Sequence, residues 1–120
     1  MNRRQERTKA IDRARRVVVK VGSAVLTTDS GLNTVVVEGL ADQIATLHGR
    51  GLDIVLVSSG AVAAGRPVIC NHRNSTGMPD KQAAAAVGQS RLMHAYDQAF
   101  KRHDIVTAQI LLTRDDLGSR

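Results

Sequence analysis

A consecutive β-branched run, Val17-Val18-Val19-Lys20-Val21, is cut short by Gly22-Ser23, and this feature limits most sharply what the chain can fold into. Valines that follow one another, instead of alternating with polar residues, read as a strand buried on both faces, the pattern of a parallel sheet covered by helices. A lysine at the end of such a run is costly if buried without a partner. Its natural use is to hold an anion where the strand opens, and phosphate is the first candidate. A second run, Ile54-Val55-Leu56-Val57, ends similarly in Ser58-Ser59-Gly60.

The stretch from Gly22 through Gly31 reads as a loop. Asn33 or Thr34 can then cap a helix running to about His48, with Val37, Leu40, Ile44 and Leu47 on one apolar stripe and Gly49 and Gly51 as its stop. This is a strand, helix, strand unit. Its right-handed crossover brings Lys20, Gly22 and Ser23 to the same sheet edge as Ser58-Ser59-Gly60, and ligands bind at such edges.

Residues 61–64 read as an alanine-rich turn of helix. Residues 65–79, which hold both prolines, Cys70 and a polar run, read as a mobile loop. Asp80 is the expected cap of a helix from Lys81 to about Lys101, interrupted by Gly88, where close packing or a bend is expected. Ile105 to Leu112 supplies a third strand, and Thr113-Arg114-Asp115-Asp116 resembles a capping box opening another helix. That last strand needs cover on both faces, so the chain reads as the first part of a larger fold.

With 42% hydrophobic residues but one Tyr and one Phe, the core of a single α/β domain must be built from Val, Ile, Leu and Ala. The formal charge of +6 is concentrated at one end: Met1 to Arg16 holds seven Lys/Arg against two Asp/Glu, a net +5, which leaves +1 for the remainder. Residues 1–16 therefore read as a basic, solvated extension, partly helical or frayed. Nucleic acid ranks last among partners, because the basicity is confined to this end and lacks interleaved aromatics. The leader has no apolar core of a secretory signal, and Glu6 and Asp12 speak against a transit peptide. No run approaches the roughly 20 apolar residues that span a membrane, so a cytoplasmic location and no membrane partner are expected. The lone Cys70 allows no internal disulfide, and Cys70 with His72 is too sparse a ligand set to assign a metal.

Two familiar motifs fail on inspection. Gly60 to Gly65 has the glycine spacing of a Walker A loop, but Arg66-Pro67 stands where Lys and a hydroxyl residue are required. Val57 to Ala61 resembles a nucleophile elbow without its first glycine. What remains is anion handling by main-chain amides at Gly22 and Gly60, with hydroxyls from Ser23 and Ser59. Either turn alone is better explained by ordinary turn preference. Their coincidence on one edge, beside a lysine, gives the pair its weight.

Four ordered segments carry a resemblance: Val18-Val-Lys20-Val-Gly22-Ser23-Ala-Val-Leu26-Thr27, Ile54 to Gly65, Lys81-Gln-Ala-Ala-Ala-Ala-Val-Gly88-Gln89, and Ala108 to Leu117. In order and spacing they resemble the bacterial glutamate 5-kinases of the amino acid kinase family, over about Arg15 to the end. The resemblance implies an open, mostly parallel sheet between helical layers, an α/β/α sandwich, of which residues 17–120 would be the amino-terminal portion. It also implies transfer of the γ-phosphoryl of ATP, with Mg²⁺, to the side-chain carboxylate of L-glutamate, the first step of proline biosynthesis. Lys20 would contact the transferring phosphate, Gly22 and Ser23 would form the phosphate-binding turn, and Ser59 with the Gly60 amide would bind glutamate. Members of the family continue well beyond the Thr113-Asp116 segment. The rival expectation is an inactive fragment that acts at most as an interaction module, and a homo-oligomer is left open.

Overall fold

A computed structural model gives the fold, and it describes residues 1–70 and 78–118. Helix α1 (Arg3–Arg13) opens on a capping box: Asn2 Oδ1 accepts from the Gln5 amide at 2.9 Å and Gln5 Oε1 accepts from the Asn2 amide at 3.1 Å. It buries no residue, as its charge density predicts. Strand β1 (Arg16–Val21) follows, then a short helix α2 (Ser23–Leu26) and a hairpin of two-residue strands, β2 (Thr27–Thr28) and β3 (Gly31–Leu32). The segment expected to be a plain loop is thus folded on itself. Helix α3 (Thr34–Gly49) starts at Asn33, whose side chain accepts from the Val36 amide, and buries Val37, Ala41 and Ile44. Cap and stripe agree with the spacing.

Strand β4 (Asp53–Ser58) pairs in parallel with β1, from Arg16 opposite Asp53 to Val21 opposite Ser58. The sheet has one covered face. Val19, Val21, Ile54 and Leu56 pack toward a core made with Leu26, with Val37, Ala41 and Ile44 of α3, and with Leu92, Tyr96, Ala99 and Phe100. The opposite face, carrying Val18, Lys20, Val55 and Val57, is exposed. The expectation of strands buried on both faces is therefore corrected. Consecutive valines report the capacity to be covered twice, whereas the described residues supply a helical layer on one face only.

Helix α4 (Ala61–Cys70) runs through Pro67, which corrects the expected loop from Gly65. Proline forfeits only the bond to the Ala63 carbonyl, and close packing on the next helix offsets that loss. The remainder of the expected loop, residues 71–77 with His72, lies outside the described residues. Helix α5 (Met78–Lys101) starts earlier than expected, with Asp80 in its first turn and not as its cap. The two helices cross at glycine: a Cβ on Gly88 would overlap the Ala61 carbonyl and approach Gly65 N to 2.6 Å, and one on Gly65 would overlap the Ala84 carbonyl. Gly88 is thus a site of close packing.

Beyond α5 the chain turns at Asp104, in the left-handed region with φ 56°, where the Ile105 amide donates back to the Phe100 carbonyl. Residues 105–112 form no strand among the described residues, which corrects the expected third one; Val106, Ile110, Leu111 and Leu112 are exposed. A strand exists only by pairing, and among the described residues this segment is paired with no other. Thr113 and Asp116 then close the anticipated box around α6 (Arg114–Gly118): Thr113 N–H donates to Asp116 Oδ2 at 2.7 Å, and the Asp116 amide donates to Thr113 Oγ1.

A polar staple joins the far end of α5 to α3. Asp42 Oδ1 lies 2.7 Å from His103 Nε2 and 3.0 Å from Arg102 Nη2. The hydrogen bond from His103, with Arg102 beside it, holds the Asp42 carboxyl below its usual 3.8. A carboxyl lowered in the folded state contributes stability above its unfolded pKa and loses that contribution as pH falls through the folded one. The expected result is a melting temperature that falls below about pH 4 in the native chain, and falls less in Asp42→Asn. Thermal melts across that range, followed by circular dichroism, check this, and identical profiles would remove Asp42 from the acid response.

Candidate functional site

The edge at which both strands end carries the site. Gly22 is the N-cap of α2 in an extended conformation, φ −83°, with nothing within 4 Å of where a Cβ would stand. Its backbone does not demand glycine; the open space is what lets a ligand reach the main chain. The second turn is strained in a way that glycine relieves, since Gly60 has φ 108°. Its Cβ position lies 3.7 Å from Thr27 Cγ2 and 3.9 Å from Ser23 Cα, so the turns 22–23 and 58–60 touch. A further bond ties them, from the Ser59 amide to the Val21 carbonyl at 3.0 Å. The shared edge expected from the crossover is present.

A shallow cleft of about 480 Å³ opens there, lined by Ser23, Ser58, Ser59, Gly60, the first turn of α4 and Arg66. The leading amides of α4 have no partner within the helix, and its dipole favours negative charge at this end. Ser23, Ser59 and Arg66 supply the polar side chains of the lining, the Ser58 hydroxyl being engaged by the Ser59 carbonyl and Tyr96, and no carboxylate among the described residues contributes to it. The chemistry offered is that of anion binding.

Ser23, Ser59 and Gly60, all singled out in the sequence, meet in this cleft, with Gly22 adjacent. Lys20 does not line it. Lys20 stands opposite Val57 on the exposed face of the sheet, one residue before the strand's end. Two residues escaped the sequence reading. Arg66 was visible only as a failed Walker lysine, although its spacing from Val62 places both on one face of a helix. Tyr96 gave no signal as a site residue. It is 3% exposed, and its hydroxyl lies 2.7 Å from Ser58 Oγ. Burial pushes the phenol above its usual 10, with the Ser58 hydrogen bond acting the other way.

A larger cleft, about 840 Å³, lies against another face of α4, between the β2–β3 hairpin and α5. Its polar lining is Ser30, Thr34, Ser90, Arg91 and His94, and none of the expected site residues reaches it. Size alone does not choose the site; convergence of the two strand ends does.

The amino acid kinase family profile matches residues 15–120. This chain belongs to that family. It is 64% identical over all 120 residues to a glutamate 5-kinase of Oleidesulfovibrio alaskensis, covering 32% of that protein. It is 59% identical over 114 residues to the glutamate 5-kinase of Maridesulfovibrio salexigens, and 50% over 115 residues to that of Geobacter sulfurreducens, covering 30% and 31% of them. The chain spans about a third of the length of the curated relatives it matches. Its parallel sheet flanked by helices fits the α/β fold expected of an amino acid kinase. No helix among the described residues is long and apolar enough to cross a membrane.

Proposed function

We propose that this chain supplies the phosphate turn and part of the acceptor site of a glutamate 5-kinase, which moves the γ-phosphoryl of ATP onto the side-chain carboxylate of L-glutamate. The observation that supports this reading best is the contact between turns 22–23 and 58–60, which brings Ser23, Ser59 and Gly60 into one cleft. Phosphoryl transfer asks the protein for positioning and charge compensation, not for a covalent nucleophile. The attacking oxygen belongs to glutamate itself.

In this reading the Gly22 and Ser23 turn cradles the transferring phosphate, and the Lys20 ammonium reaches around the strand end to offset charge growing on its equatorial oxygens. Ser59 and the Gly60 amide hold glutamate on the other side. Mg²⁺ would accompany ATP, but the cleft lining has no carboxylate and no group of three or more His, Cys, Asp or Glu gathers among the described residues. These residues do not form a magnesium site. The product, glutamyl 5-phosphate, would enter proline biosynthesis in the cytoplasm.

The test is glutamate-dependent ADP release from ATP and Mg²⁺, measured on the chain alone and on the chain continued by the remaining two-thirds of the Oleidesulfovibrio relative. Turnover by the continued chain is the expected result. Absence of turnover in both, together with self-association, would favour an interaction module instead, a reading that the exposed Val18, Val55 and Val57 support.

A further inference from the structure

Ser58 Oγ donates to the Ser59 carbonyl at 3.0 Å and also lies 2.7 Å from Tyr96 Oη. A serine hydroxyl has one hydrogen. With that hydrogen on the Ser59 carbonyl, the shorter contact is made by the tyrosine O–H donating to Ser58 Oγ. Burial keeps the phenol protonated, so the donor persists at neutral pH. The result is a directed chain, Tyr96 to Ser58 to the Ser59 carbonyl.

That carbonyl shares a rigid, planar peptide unit with the Gly60 amide. Fixing the direction of the oxygen fixes the direction of the N–H on the opposite side of the same plane. The unit needs such a hold, because Gly60, at φ 108°, has no side chain to restrict how the peptide turns. Tyr96 is well placed to provide it. Its ring packs 6.4 Å from that of Phe100, and it sits on α5, the helix locked to α4 through Gly88 and Gly65. One helix thereby braces both flanks of the turn: α4 by backbone contact and the end of β4 by a hydrogen bond.

We propose that Tyr96 is a positioning residue that aims the Gly60 amide into the cleft by holding the Ser59 carbonyl through Ser58. This rests on the reading of Ser59 and Gly60 as glutamate-binding groups. Tyr96 touches no substrate; it sets the geometry that a carboxylate or phosphate oxygen meets.

The test uses Tyr96→Phe, which keeps the ring and removes only the hydroxyl, and Ser58→Ala, in the chain continued by the rest of the Oleidesulfovibrio relative. Each is expected to raise the KM for glutamate about five- to twenty-fold, the effect of one lost buried hydrogen bond. The KM for ATP and kcat stay within about twofold, because the phosphate turn is untouched. The double variant should be no worse than either single one, since both break the same chain. In the 120-residue chain itself, Tyr96→Phe should speed hydrogen exchange at the Gly60 amide without a matching change in α3. An unchanged glutamate KM in Tyr96→Phe would overturn the proposal, as would equal losses in kcat and in both KM values tracking a lower melting temperature. If the parent chimera turns over no glutamate, the glutamate reading falls first and this inference with it.

Discussion

Gly88→Ala is expected to destabilise the chain by about 3 kcal/mol, a large part of the 5–15 kcal/mol that ordinarily holds a domain folded. The new Cβ would overlap the Ala61 carbonyl and crowd Gly65 N, which are backbone atoms of a packed helix and cannot rotate aside as a side chain can. Gly65→Ala meets the Ala84 carbonyl in the same crossing and should cost a similar amount. Gly39→Ala is the internal control. That glycine also lies inside a helix, but nothing stands within 4 Å of its Cβ position, so alanine there should stabilise by up to about 1 kcal/mol through helix propensity alone. Urea titrations of the three variants, read by far-ultraviolet circular dichroism, give the signs directly. If Gly88→Ala matched the parent, the helices would not cross at this separation.

Lys20→Ala should do the reverse, sparing the fold while removing turnover. The side chain is exposed and no ion pair engages it among the described residues, so unfolding free energy should move by no more than about 0.5 kcal/mol. Under the proposed function, loss of a cation that compensates transition-state charge lowers kcat on the order of 10²- to 10³-fold. The comparison is made in the chain continued by its relative's remainder, with glutamate and ATP saturating. Turnover within about threefold of the parent would remove Lys20 from the phosphate role.

Elements that satisfy their own hydrogen bonds were the legible ones. The cap at Asn33, the stripe of α3 and the Thr113-Asp116 box are local chemistry, and the sequence spacing places each of them correctly. Strand β1 and strand β4 were legible as runs, and the meeting of their ends followed from crossover geometry. What depends on a neighbour was not legible. Residues 105–112 carry the composition of a strand but have no ladder partner among the described residues, and the valines of β1 show nothing about which face is covered. Pro67 pointed to a loop because punctuation in the sequence does not reveal that Gly65 will lie against another backbone. The Tyr96 hydroxyl was invisible for a related reason: its partner is 38 positions away and on a different element.

The parallel ladder of β1 and β4 pairs Arg16 with Asp53 and keeps that 37-residue offset to its end at Val21 and Ser58. Helices can form early from neighbouring residues, whereas this ladder must first close a long loop and bear its entropy. The cleft sits at the closing end of that loop, sealed by the Ser59 amide on the Val21 carbonyl. Assembly of the site therefore carries the entropic cost of closing that loop. A chain that has made every helix but has not yet zipped its two strands has no cleft.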